Sequence, residues 1–480
     1  MLPFLHSIYV AQVSSTLQSV EEQQYIVDNE EIRPLPGKLN DVPVFNSNSP
    51  EVIQNEGILV STFPNSEKTH PEAHLDYPLR GRFDLFSHHI ARSSSDKRVL
   101  YEGVIVNNPT SRFIRLRVLQ AVSHLTSPDA PFINLPSYVE DPLGRFFSGP
   151  GSRLVGDILR GISQHQFPSS ILIPPGQNRM LFILPLTASN ARSTLMHLET
   201  DGPVYIADLA MYALPDIPVN QPIEPLKPFS LNSITVPFTL PPSPVYRQPS
   251  LDEWRYLLTT GDLVQPRDII PTPPQMIGRS DPIYGRVAGI SFGSRWVSRI
   301  GDNSSEGLLS IPAPGQSYSY PLSTVDTGTF GTNQVQSASM LARYSDTAYR
   351  AHGNYAVNYN LTFPLVNRTQ DKQTVLIIFQ TPLKRDHYSD RLFFSRSNNT
   401  PIFFRGTVKV SYDDDNKQRR VRYYHLVQRQ GQQGDPLVKL SLMPNEKREV
   451  NLDFIYPPDA IPPQVVTIKT TSSAFANILH

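Results

Sequence analysis

VLYEGVIVNNPTSRFIRLRVLQAV, residues 99–122, decides how the chain is read. Val99, Tyr101, Val104 and Val106 lead into Asn107-Asn108-Pro109-Thr110, and Ile114, Leu116, Val118 and Gln120 lead out of it. Alternating side chains lie on opposite faces of a pleated strand. Proline interrupts that pattern, and asparagine tolerates left-handed backbone angles. The segment therefore reads as two strands around a turn.

The same device recurs outward from it. In SSILIPPGQNRMLFILPL (169–186), Pro175 presets the first turn position and Gly176 accepts the positive φ of the second. STLMHLETDGPVYIADLAMYA (193–213) carries Asp201-Gly202, which predicts a hairpin tip. Further on, Pro314-Gly315-Gln316 marks another turn, and RGTVKVSYDDDNKQRRVRYYHLV (405–427) reads as a hairpin. Order and spelling repeat between the halves. Asn108-Pro109-Thr110 and Pro175-Gly176-Gln177-Asn178-Arg179 are answered by Asn367-Arg368-Thr369 and Pro444-Asn445-Glu446-Lys447-Arg448. Asparagine is the best substitute for glycine where φ is positive, so the turn physics survives the exchange.

The expected fold is all-β: two β-sandwich domains, immunoglobulin-like or jelly-roll-like, joined by a Pro-rich connector with one short helix. A weak signal-like start and an extended arm occupy 1–49, and the first sandwich occupies 50–214. The connector follows at 215–282, the second sandwich at 283–470 and a tail at 471–480. Ten prolines between Pro215 and Pro249 resist helix and central strand. The helix, 251–260, has Ser250 and Glu253 as a capping box, Gly261 as its stop, and Trp254, Leu257 and Leu258 as its apolar stripe.

Composition excludes several functions. The chain has 480 residues with 43 Lys plus Arg and 43 Asp plus Glu, so nothing draws it to nucleic acid or an anionic membrane surface. No cysteine is present, which removes disulfides, zinc–thiolate sites, iron–sulfur clusters and cysteine nucleophiles. Leu2–Ala11 is too short to span a bilayer. It has the length of a signal-peptide core, yet no Lys or Arg precedes Arg33. A longer signal and an uncharged tail both fit; the Asn-, Ser-, Thr- and Pro-rich composition favours export.

Longer strings carry a resemblance. RPLPGKLNDVPVFNSNSPEVIQNEGILVSTFP (33–64), IPPGQNRM (173–180), RSTLMHLETDGPVYIADLAMYA (192–213), MLARYSDTAYRAHGNYAVNY (340–359), VQRQGQQGDPLV (427–438) and FIYPPDAIPPQV (454–465) resemble the cyanobacterial domain-of-unknown-function family 3370, over about 30 to 470. The resemblance implies an exported or envelope-associated protein. It brings no established activity and hence no catalytic residue.

Few residues suggest chemistry. Adjacent His88 and His89 point to opposite faces of a strand and cannot easily share an ion. His70 and His74, in HPEAH, lack the Glu and the helix of a zinc motif. Asp413, Asp414, Asp415 and Asn416 fit a solvated hairpin tip facing Arg419, Arg420 and Arg422 better than a calcium loop. No metal site and no cofactor is expected. The densest run is Ala342–Tyr355, where Arg343, Tyr344, Asp346, Tyr349, Arg350 and His352 are candidate binding residues, with Tyr355 beside them. Arginine forks and tyrosine faces anchor interfaces and stack on sugar rings; the competing reading is a buried network clamping a loop. The expected function is a non-enzymatic, extracytoplasmic structural or binding protein of a cell envelope. Its partners would be an envelope protein, another copy of itself or a surface polysaccharide. The alternative is a carbohydrate-active β-sandwich enzyme, which needs two carboxyls in one cleft.

Overall fold

The computed structural model describes residues 25–92, 98–216, 245–278, 281–302 and 306–471. The signal-like start, most of the proline-dense stretch and the tail beyond 471 lie outside the described residues. The described chain is all-β, with two α-helices, α1 (Pro150–Leu159) and α2 (Leu251–Thr260). Among these residues no helix is long and apolar enough to cross a membrane.

Asn108 shows why the decisive segment folds as it does. Strands Leu100–Asn107 and Ile114–Leu125 do not pair with each other. The first pairs with Asn178–Leu186 and the second with Ser170–Ile173, so the turn arches between opposite sheets. Asn108 is fully buried and fixes the arch. Its amide donates to Arg112 O (2.6 Å) and Ile173 O (2.9 Å), while its oxygen accepts from Thr110 N (2.9 Å) and Thr110 Oγ1 (2.8 Å). Asn367 repeats this bond for bond. It donates to Asp371 O (2.8 Å) and Leu442 O (2.9 Å) and accepts from Thr369 N (2.9 Å) and Oγ1 (2.7 Å). The turn beside each arch is left-handed, at Gly176 (φ 65°) and Asn445 (φ 60°).

The strand scheme around the two arches also repeats. In the first half, Ile114–Leu125 lies between Ser170–Ile173 and Ala191–Tyr212. Leu79–Ala91 flanks the latter, and Pro43–Ser47 runs parallel to Leu79–Ala91. In the second half, Gln373–Gln380 lies between Pro436–Leu442 and Gln464–Thr470. Ser317–Leu322 flanks the latter, and Glu31–Ile32 runs parallel to it. Each half packs its two sheets over its own apolar core. Phe83, Leu116 and Ile206 are in one, and Tyr359, Phe363 and Phe454 are in the other.

Three expectations need correction. Asp201-Gly202 does not turn the chain back: Ala191–Tyr212 is one continuous 22-residue strand. Its first part pairs with Leu79–Ala91 and Ile114–Leu125, and its last part with Gly57–Ser61 and Leu100–Asn107. The register shifts between Thr200 and Val204, so the strand bends from one sheet into the other and closes a corner of the sandwich. Arg115 N donates to Asp201 Oδ1 (2.9 Å), and a side chain at Gly202 would strike Ile114 at 2.7 Å. Neighbours capture the turn residues, and the local preference for a hairpin loses.

The helix count is also wrong, because α1 was not expected. Gly151 and Gly156 depress its intrinsic propensity. Packing restores it. Leu154, Val155, Ile158 and Leu159 form a cluster with Val44, Phe86, Val122 and Leu195 of the first half and with Ala356 and Ile455 of the second. The helix is thus a wedge between the halves, and its glycines permit the approach. A Cβ on Gly151 would lie 2.4 Å from Pro458, and one on Gly156 2.9 Å from Thr407. Helix α2 behaves as its sequence predicts, with both hydrogen bonds of the capping box formed. It lays Trp254 on the outer face of the first half, where a Cβ on Gly103 would meet the indole at 2.8 Å.

Strand membership, finally, does not follow the boundaries at 50, 215 and 283. Ala288–Phe292, Ala338–Arg343 and Arg350–Ala351 extend the first-half sheet through Pro43–Ser47. The arm contributes Tyr25–Asn29, Glu31–Ile32 and Lys38–Leu39 to the second half. Tyr138–Glu140 pairs across to Tyr424–Leu426. Hydrophobic alternation reports which face of a strand is buried but not which strand lies beside it. The chain crosses between halves at 40–42 and again at 293–294, side by side. Asn40 N donates to Arg295 O (2.9 Å), Ser294 N donates to Asn40 Oδ1 (2.8 Å) and Gly293 N donates to Val42 O (3.1 Å). At Gly293 (φ 93°) a Cβ would lie 2.6 Å from Leu39.

Candidate functional site

The run 342–355 is divided between clamp and cavity. Tyr344 is buried in the first core; its hydroxyl donates to Ala73 O and accepts from Ser61 N, both at 2.9 Å. Burial pushes that phenol well above its ordinary pKa. Arg343 donates to Tyr344 O (2.7 Å) and Thr347 O and stacks 3.8 Å over Tyr349. Asp346 takes a bidentate pair from Arg267 (2.7 and 3.2 Å), which ties the connector down. Arg350 reaches Asp326 at 3.3 Å. Arg343, Tyr344 and Asp346 thus hold the loop in place.

His352 and Tyr355 point to something else. They line a cavity of about 180 Å³ between the halves with Tyr284, Arg286, Lys384 and the pair Asn46 and Asn48. Strand alternation puts Asn46 there: Phe45 faces the first core, while Val44 and Asn46 face the junction. Asn46 and Asn48 are 3% and 2% exposed, and their amide oxygens have no partner. An unmatched buried polar group costs about 1–3 kcal/mol, so two amide oxygens at one cavity favour a donor there, from water or from a bound molecule. His352 packs on Tyr284 with centroids 4.3 Å apart, and burial lowers its pKa to about 4. Its Nδ1 also lacks a partner. Arg286 is neutralised by Glu51, whereas Lys384 has no ion-pair partner within 4 Å among the described residues. Sequence reading missed Asn46, Asn48, Tyr284 and Lys384. The available signal was Asn46-x-Asn48, two amides at alternate positions where the strand Pro43–Ser47 ends.

A second cleft of about 420 Å³ opens where the chain crosses between halves, lined by Arg82, Asp84, His197, Arg295, Asn358 and Asp453 among others. His197 Nδ1 lies 2.8 Å from Asp84 Oδ1, and Asn358 donates to Asp453 Oδ1 at 2.7 Å. Elsewhere His88 and His89 diverge as expected, to Ser193 Oγ (2.8 Å) and Ser47 Oγ (2.9 Å). Around His89 lies a closed polar nest with Glu102 and Asp208, in which burial and the Asp208 charge raise the Glu102 pKa to about 7. His74 turns inward to Ser61 Oγ (2.8 Å), while His70 faces Glu72 (3.5 Å) and Asp262 (3.8 Å). His70, Glu72 and Asp262 hold their ligand atoms within 4.8 Å of one another, a set that the HPEAH spacing did not disclose. At the hairpin tip Asp414 pairs with Arg420 at 2.6 Å.

Comparison with family models matches residues 30–470 to the family described as protein of unknown function DUF3370. The chain belongs to the DUF3370 family. No curated protein matches it. The match runs from the arm to the last described strand, so in this DUF3370 chain the junction cavity and both crossings fall within the matched length.

Proposed function

We propose that this DUF3370 chain is a non-enzymatic binding protein of the extracytoplasmic envelope, holding a polysaccharide or an envelope partner at the seam between its halves. The observation that carries the reading is the junction cavity, where Asn46 and Asn48 are buried without partners for their oxygens. Its lining joins Asn46 and Asn48 of the arm to residues between Tyr284 and Pro462, so the site exists only when the arm is docked, as in a rigid receptor. The cysteine-free, proline-rich composition favours the compartment. Exposed Phe132, Ile133, Leu143 and Phe146, all within one excursion of the chain, favour contact with a further surface. In a host that encodes the protein, it is expected in the envelope fraction, and the purified chain is expected to sediment with isolated envelope polysaccharide. Recovery in the cytosol with no cosedimentation defeats the reading.

A second reading, a carbohydrate-active enzyme, is favoured by Asp84 and Asp453 lining one cleft with His197 held by Asp84. It requires release of reducing sugar from an envelope polysaccharide, abolished by Asp84→Asn or Asp453→Asn in folded protein.

A further inference from the structure

We propose that the junction cavity takes one acidic glycosyl unit: a hydroxyl-rich six-membered ring bearing a carboxylate, at the end or branch of a polysaccharide. The inference deepens the binding reading and rests on it. Size limits the occupant first. The cavity measures about 180 Å³, and a protein cavity of about 150 Å³ holds a single benzene ring. An extended run of sugars does not fit, but one ring does.

Hydrogen-bonding capacity selects the class of ring. The amide oxygens of Asn46 and Asn48 and Nδ1 of His352 lack partners. A hydroxyl both donates and accepts, so it completes a carboxamide through either end. Sulfate only accepts and would leave the two amide oxygens unmatched, and inorganic phosphate, though it keeps a P–OH donor, has no C–H face to lay against the rings of Tyr284 and Tyr355. The tyrosines are committed elsewhere: the Tyr284 hydroxyl bonds Thr327 (2.8 Å), and that of Tyr355 donates to Ala460 O (2.9 Å). What they offer the cavity is ring surface, which suits the C–H faces of a pyranose, and Val325 and Pro462 add apolar wall.

Charge selects the substituent. Glu51 cancels Arg286, and Lys384 stands exposed at the mouth with no carboxylate within 4 Å among the described residues. Asp386 acts on Lys384 only from beyond ion-pair distance, so its ammonium keeps its hydrogen-bond donors free, and such a cation beside a polyol site fits a uronate carboxylate.

The test titrates the full chain, by calorimetry and ligand-observed NMR, with methyl β-glucuronide, methyl β-glucoside and inorganic phosphate. The glucuronide is expected to bind about tenfold tighter than the glucoside, and phosphate not to compete. Lys384→Gln, at an exposed position, should leave the melting temperature unchanged and level the two glycosides. Asn48→Ala should weaken both. Silence from both glycosides, phosphate binding tighter than glucuronide, or an unchanged ratio in Lys384→Gln each overturns the assignment. If the wild-type chain sediments with envelope polysaccharide and excess methyl glucuronide does not displace it, the binding reading stands and this cavity is not its site. If methyl glucuronide binds while nothing sediments, the cavity assignment survives and the envelope reading falls.

Discussion

Asn108 and Asn367 each saturate a buried carboxamide against backbone carbonyls and a threonine, and that is how a two-letter turn signal becomes a three-dimensional one. Replacing either by alanine strands Ile173 O or Leu442 O inside the protein. Each substitution is expected to cost about 3 kcal/mol, read as a fall in urea midpoint at constant slope; a loss below about 1 kcal/mol would mean the arch holds without its asparagine. Glu30 makes a different prediction. It is 5% exposed, bonded to Ser319 and Thr467, and burial raises its pKa from 4.5 to about 7. The folded state therefore holds its proton more tightly than the unfolded one. The stability it supplies is complete below about pH 4.5 and is lost as the pH climbs to about 7. Buried His88, His352 and His425 have lowered pKa values and act with the opposite sign, so the wild-type profile mixes both effects. The difference between Glu30→Gln and wild type isolates the carboxyl. It should grow in favour of the variant by about 3 kcal/mol from pH 4.5 to 7.5, and a pH-independent difference would refute the assignment.

Among elements, legibility tracked how local the cause was. Helix α2 could be read because its signals, Ser250, Glu253 and Gly261, lie within a dozen residues of one another. Helix α1 could not, because Leu154 and Ile158 become helical only against two sheets assembled from distant chain. Asp201-Gly202 misled for the same reason, its partners Arg115 and Ile114 being far away in sequence. On an exposed helix, alanine for glycine stabilises by about 1 kcal/mol. At Gly151 and Gly156 the same change should destabilise by about 1–3 kcal/mol, because Pro458 and Thr407 occupy the space. Thermal unfolding of the two variants distinguishes wedge from ordinary surface helix. The candidate site divides in the same way. Arg343 through His352 stood out by composition, but which of them face inward depends on pairing with Ala288–Phe292, fifty residues away.

For the molecule as a whole, exchanged strands make the halves interdependent. Residues 50–214 alone lack Pro43–Ser47 and Ala288–Phe292, and residues 283–470 alone lack Glu31–Ile32 and Lys38–Leu39. Neither fragment is expected to give dispersed amide resonances, whereas the intact chain should melt in one cooperative transition; two independent transitions would restore the modular account. The duplication was visible in turn spelling, while the stitching was not, since a two-residue strand such as Lys38–Leu39 carries no periodicity to detect. The arm has a consequence in time as well as in space. Glu30 bonds Thr467, 437 positions later. At about 5–20 residues per second, ribosomes need roughly 20 to 90 seconds to deliver that partner. Ser317–Leu322 reaches the arm first, and Glu30 stays half-satisfied until Gln464–Thr470 follows.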